Sequence, residues 1–308
     1  MMTPEQWWKN FALGIELDAS GTFIYNGIKS LDELSSFQYP VDTFEVLYNL
    51  SVGIERLLKV AIILIEHEND SDIEELEKSL ITHNTIDLTN RVDRNRNLNL
   101  ASLHKEFLAL LSKFYKSHRY GRYSLSSVPN INEEKIDFLK YIQRHLKIEL
   151  SITDEFAFIG NTDQIKKFIG KVVKKISSAL FTIINKEAHR LNIYTTELRG
   201  GSKALRVFYG ERLDFIDERI KKKEIILYLI NQNTVGNHID LIRSFEPLAL
   251  DEENIPQYIQ ALLNDSALSF VGDEIDELYT DVKDVSKRLQ FIDIIDNDYL
   301  SYEGGDEA

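Results

Sequence analysis

The sequence predicts an all-α chain: an N-terminal helical bundle, then a second helical region, with room for one short β element. Three observations carry that prediction. Apolar residues recur at three- and four-residue steps over most of the chain, helix-start signals stand just ahead of those stretches, and Gly or Pro falls between them. The clearest case is Leu100, Leu103, Phe107, Leu110 and Phe114, whose steps put one apolar stripe on a helix packed along its length.

Taken in order, Thr3-Pro4-Glu5-Gln6 reads as a helix start, with Thr as N-cap, Pro at the first helical position and Gln three residues after the cap. Gly21 to Asn26 reads as a short strand or a packed loop, and Pro40 ends that region. Asp42-Thr43-Phe44-Glu45 resembles a capping box. It opens a long helix through Leu47, Leu50, Ile54, Leu57, Leu58, Ala61 and Leu64. Ser71-Asp72-Ile73-Glu74 opens another, and Gly121 to Asn132 is the best linker candidate. Glu133 to Leu150 follows as a helix. Asn161-Thr162-Asp163-Gln164 then caps a long one with Ile165, Ile169, Val172, Val173, Ile176, Leu180 and Ile184 on its apolar face. Gly200-Gly201 interrupts the pattern, and Leu205 to Tyr209 is ambiguous. Helical patterns resume over Glu211–Asn231, Ile255–Leu263 and Asp273–Ile295. The expected organisation is a bundle over 1–125, a second helical region over 126–300, and a disordered acidic tail over 301–308.

With 43% hydrophobic and 28% charged residues the chain is globular. It has no cysteine, which removes disulfides, thiol catalysis and cysteine-ligated zinc. No secretory pattern opens the sequence, and the longest apolar run, Val60 to Ile65, is far short of the ~20 residues a membrane span needs. A cytoplasmic protein without a membrane partner is expected. No metal-ligand spacing, dinucleotide fingerprint or Gly-x-Ser-x-Gly elbow is found, so no cofactor is implied.

The formal net charge of −14 argues against simple electrostatic binding of nucleic acid, yet the layout is uneven. Residues 161–223 carry 15 Lys/Arg against 7 Asp/Glu, whereas 224–308 carry 4 against 19. Lys166, Lys167, Lys171, Lys174 and Lys175 form a basic face on the Ile165 helix. That face fits a solvated surface, a dock for the acidic C-terminal part, or a track for a nucleic-acid backbone.

Three segments resemble the HEPN superfamily, helical domains of prokaryotic toxins, phage-defence proteins and nucleotidyltransferase partners. Ser51-Val52-Gly53-Ile54-Glu55-Arg56-Leu57-Leu58-Lys59 is similar to the family's early helix, in which Glu and Lys four residues apart interrupt an apolar run. Thr82-His83-Asn84-Thr85-Ile86-Asp87-Leu88 resembles its Thr-His-Asp-Leu segment. Phe107 to Tyr123, ending Phe114-Tyr115-Lys116-Ser117-His118-Arg119-Tyr120-Gly121-Arg122-Tyr123, resembles the family's helix end carrying an Arg-Tyr pair. Together these cover roughly 80 residues.

The resemblance implies a dimerising bundle in a defence or toxin–antitoxin type system that engages RNA or a nucleotide. Ribonuclease members of the family carry Arg, four to six residues, then His on one helix. Here Arg94 and Arg96 lie too far ahead of His104, and His118-Arg119 are adjacent and in the opposite order. Catalysis, where present, would be metal-independent RNA cleavage, with His118 or His104 as proton carrier and Arg119 as electrophile. Arg122, Tyr120 and Tyr123 would pair with phosphates and stack on bases. Glu55 and Lys59 fit either a helical ion pair or a groove lining, and His83 fits a capping or hydrogen-bonding contact, or else a polar contact that fixes the groove or a phosphate contact. Lys167, Lys171 and Lys174 would follow a backbone. The competing reading is a non-enzymatic interaction or inhibitor protein acting through its acidic C-terminal region on a protein partner.

Overall fold

Thr3 opens the first helix as its neighbours predict. Its Oγ1 accepts from the Gln6 N–H at 3.2 Å, and the Gln6 side chain accepts from the Thr3 N–H at 3.0 Å. The computed structural model describes residues 2–67, 73–118, 132–152, 158–231, 240, 242–263 and 268–292. The structure is all-α: 75% helical, with no strand among the described residues. The nearest approach to β structure is one antiparallel bridge between Ser36 and Gly160.

Helix α1 (Pro4–Trp7) runs through a π-helical turn, Trp8–Ala12, into α2 (Leu13–Glu33). The segment Gly21–Asn26, read above as strand or loop, is therefore the middle of a helix. Leu17, Ile24, Ile28 and Leu31 bury one face of it at helical steps, and this burial outweighs the local preference of Gly21, Thr22 and Asn26 for other conformations. Gly21 has a packing reason: a Cβ there would lie 2.4 Å from Ala204 Cβ, so the glycine lets another helix approach the backbone.

Helix α3 (Pro40–Glu66) is the axis of the molecule's core. It begins at Pro40, earlier than the box at Asp42 suggests, because proline fits the first helical turn, where its missing N–H has no intrahelical partner. The predicted stripe of Leu47, Leu50, Ile54, Leu57, Leu58, Ala61 and Leu64 is fully buried. Around it pack α4 (Ile73–Ser79), α5 (Thr85–Asn95) and α6 (Ser102–Lys113), the last continuing as a π turn, Phe114–His118. Then come α7 (Glu133–Leu146), α8 (Asp163–Leu191) and α9 (Lys203–Tyr209). The predicted cap of α8 is present, Thr162 Oγ1 accepting from the Ile165 N–H at 3.4 Å. The ambiguous Leu205–Tyr209 stretch is helical because Ser202 caps it, accepting from the Leu205 N–H at 3.1 Å. Glu187, buried on α8, joins Arg96 and Arg190 at 2.6 Å each. Burial alone would raise its pKa, but those bonds hold it below the usual range.

The chain divides into two compact units, Met1–Phe215 and Ile216–Ala308, later than the boundary read near residue 125. The reason is that α8 packs its apolar stripe against α3, so the first core needs it. The second unit holds α10 (Ile216–Asn231), α11 (Ile255–Leu263), α12 (Leu268–Tyr279) and α13 (Val285–Ile292). Helix α10 starts five residues after the predicted Glu211. The expected Asp273–Ile295 helix is two helices: three-residue turn bonds over Thr280–Val282 unwind α12, and Asp284 restarts the chain by accepting from the Lys287 N–H at 3.0 Å. The proposed tail, and nearly all of the linker read at Gly121–Asn132, lie outside the described residues. No helix among the described residues is long and apolar enough to cross a membrane.

Candidate functional site

One side of α3 is not sealed by hydrophobic packing. Glu55 and Lys59 sit one turn apart there, their side chains paired at 2.6 Å. The Glu55 side chain is only 9% exposed, so its charge needs nearby compensation. The second compensating group comes from the stretch before α5. His83 Nδ1 lies 3.2 and 3.1 Å from the two Glu55 carboxylate oxygens.

The sequence places His83 there by fixing its neighbours. Asn84 donates its backbone N–H to Thr82 Oγ1 at 3.1 Å and accepts at Oδ1 from Ser112 of α6 at 3.0 Å. His83 is thus carried on a short, pinned segment and reaches across to α3; it does not cap α5. The Tyr115 ring, on the π turn after α6, packs against the imidazole with centroids 4.6 Å apart.

These residues line a cleft of about 430 Å³ whose apolar walls include Trp8, Leu13, Val52 and Ile63. Arg56 and Glu16 pair at its rim, both about half exposed. A pair so wet is worth little, so the guanidinium is available to exchange its carboxylate for a phosphate.

The chemistry follows from the donors. A carboxylate only accepts hydrogen bonds, so the imidazole nitrogen facing Glu55 carries the hydrogen, and in the neutral ring it is Nε2 that holds the lone pair. No described residue hydrogen-bonds Nε2, and the His83 side chain is 50% exposed. That is the layout of a general base: one nitrogen held by a buried carboxylate, the other open to a ligand.

A second carboxylate–imidazole pair, missed in the sequence, joins Glu106 to His145 at 3.0 Å, with Arg144 at 3.1 Å. The bond from His145, together with Arg144, holds the Glu106 carboxyl below its usual range. The His145 side chain is only 18% exposed and is wedged between Tyr141 and Phe168, so this pair braces α6 against α7.

The expected site residues divide as follows. Glu55, Lys59 and His83 come together in one cleft. His104 does not join them; it is half-buried on α6, where burial and the nearby Lys175 lower its pKa. Arg119, Tyr120, Arg122 and Tyr123 lie outside the described residues, as does the side chain of His118. Lys167, Lys171 and Lys174 line a second cleft, of about 520 Å³, with Lys175 and Arg212. Lys174 is half-buried, and its Nζ donates to the Val207 and Phe208 carbonyls at 2.8 and 3.2 Å, closing the C-terminal end of α9. Tyr115, Arg56 and Glu16 were not singled out as site residues; Tyr115 and Arg56 stand inside the motif segments, and no local signal marks Glu16.

Among the described residues no group of three or more His, Asp or Glu is placed to hold a metal ion. No protein-family model, curated protein or solved structure matches this chain.

Proposed function

We propose that this protein is a HEPN-like component of a prokaryotic defence or toxin–antitoxin type system, acting as a homodimer, that binds RNA at the Glu55 cleft and cleaves it without a metal. The observation that carries the reading is the reach of His83 Nδ1 to a buried carboxylate from the lining of this cleft, with half of the His83 side chain exposed. In this scheme Nε2 takes the proton of a ribose 2′-hydroxyl and the 2′ oxygen attacks the adjacent phosphorus. The bond from phosphorus to the 5′ oxygen breaks, and water supplies the proton that oxygen needs. Glu55 balances the imidazolium that forms, Tyr115 gives a ring for a base to pack on, and Arg56 supplies a cation for the phosphate.

The test is incubation of the protein with total cellular RNA in chelator. Cleavage by the wild type, lost in His83→Gln, is the expected result; loss of a general base costs about 10²–10⁴ in rate. Intact RNA in both reactions, or equal cleavage in both, overturns the proposal.

One observation favours a second reading, the interaction protein. The second unit carries −13 of the net −14, and in α10 the side chains of Ile225, Leu227, Tyr228, Leu229 and Ile230 are all more than half exposed. An acidic unit with so much uncovered apolar surface suits a protein partner. Deleting residues 216–308 should then abolish partner capture, and neither the full chain nor the truncated one should cleave RNA.

A further inference from the structure

The net acidity belongs almost wholly to the second unit; Met1–Phe215 is nearly neutral at −1. The objection that this protein repels phosphate therefore weakens for the first unit, and within it the positive charge is concentrated. Helix α8 carries Lys167, Lys171 and Lys175 at four-residue steps. At ~1.5 Å rise per residue they stand about 6 Å apart, in a row about 12 Å long. All three are exposed, and none makes an ion pair among the described residues.

The opposite wall is the segment from Gly210 to Asp214, and it is built in place. Gly170 of α8 lets it approach, since a Cβ there would lie 2.2 Å from the Leu213 carbonyl oxygen. Lys174 anchors the end of α9 just before it, and burial lowers the pKa of that amine. Just after it the Arg206 guanidinium covers the Phe215 ring at 4.4 Å and donates to the Asp214 carbonyl at 3.4 Å. The cleft between the walls holds about 520 Å³. Five cations line it against the two carboxylates Glu211 and Asp214, a net of +3, and among the described residues no aromatic ring lines it.

We infer that this cleft binds the phosphodiester backbone of single-stranded nucleic acid. The row is too long for one phosphate group, and its three ammonium groups can each meet a successive phosphate of a strand laid along the helix. A cleft of about 520 Å³ with its cations along one wall suits a single strand lying in it. Lysines offer point charges without the fixed fork of arginine, and without rings no base is held, so binding follows charge and not sequence. The inference extends the proposed RNA function by giving it a second anchor, but it does not depend on the chemistry of His83.

The test is fluorescence anisotropy of the full chain with a labelled single-stranded RNA oligomer, titrated over salt. The variants are the triple Lys167→Gln/Lys171→Gln/Lys175→Gln, and Lys78→Gln for comparison. Each phosphate contact contributes ~0.7 to the slope of log affinity against log salt, so the triple variant should flatten that slope by about 2. It should weaken RNA and DNA oligomers alike, with helical content unchanged because all three side chains are exposed. Lys78→Gln, at an exposed lysine that lines neither cleft, should keep the wild-type slope, and the chelator cleavage assay run on the triple variant separates failure of this cleft from failure of the cleavage site. A wild type that does not bind the oligomer, or an unchanged slope in the triple variant, overturns the inference. Tighter binding of a duplex, or equal competition by a polyglutamate peptide, overturns the single-stranded nucleic-acid assignment.

Discussion

Replacing Glu55 by Gln keeps the shape of the side chain and removes its charge. In the wild type that carboxylate is 9% exposed and takes hydrogen bonds from two cationic or polar partners, Lys59 and His83. Breaking one partner of a fully buried pair costs about 3–5 kcal/mol, and each hydrogen bond to a charged group contributes ~1.5–3 kcal/mol. Lys59 and His83 both keep access to water, so both are partly rehydrated once the carboxylate is gone. The loss should therefore fall to about 1.5–3 kcal/mol. The assay is urea unfolding followed by tryptophan fluorescence. Trp7 and Trp8 are the chain's two tryptophans, both in the first unit, and Trp8 lines this cleft, so the signal reports that unit alone. In a double-mutant cycle with Lys59→Met the coupling should be about 1–2 kcal/mol. A Glu55→Gln variant within ~0.5 kcal/mol of wild type, the range of an ordinary surface change, with no coupling to Lys59, would refute the reasoning.

The same tryptophan signal checks two further expectations. Burial lowers the pKa of both His67 and His104 in the folded state, so between those lowered values and the ordinary value of 6.5 the unfolded chain holds more protons. Stability should be fully present above pH 6.5 and fall as pH drops below it, by up to ~1.4 kcal/mol per pH unit for each histidine. His67→Gln should flatten that slope in urea midpoints measured between pH 5 and 7.5. Gly21→Ala should cost about 1–3 kcal/mol, because the added methyl would lie 2.4 Å from the Ala204 Cβ and 2.5 Å from its Cα, and pairing it with Ala204→Gly should recover only part of the loss, since the Cα overlap stays.

Much of the fold was legible because its strongest signals are local. The Thr3 box, the Thr162 cap and the buried stripe of α3 each show in a few consecutive residues, and the structure carries all three. Gly21–Asn26 misled because its helicity comes from packing against α3 and α9, which no window of six residues contains. The unit boundary moved to Phe215 for the same reason, since α8 supplies core to a bundle that ends in sequence well before it. At the candidate site, Glu55 and Lys59 were readable as a pair four residues apart. That His83 bonds Glu55 from 28 positions away, and that Tyr115 backs it, needed the tertiary structure. Lys174 shows the opposite error: in sequence it matches its neighbours on the basic face, yet in the fold it is spent on two carbonyls of α9.

The most direct measurement of the central claim uses one defined oligoribonucleotide in chelator, with the ends of any product identified. Wild type should leave 2′,3′-cyclic phosphate ends and spare a copy with 2′-deoxyribose throughout, while His83→Gln should leave the RNA intact. Cleavage of the deoxy copy, or wild-type cleavage by His83→Gln, would contradict a general base at His83 Nε2.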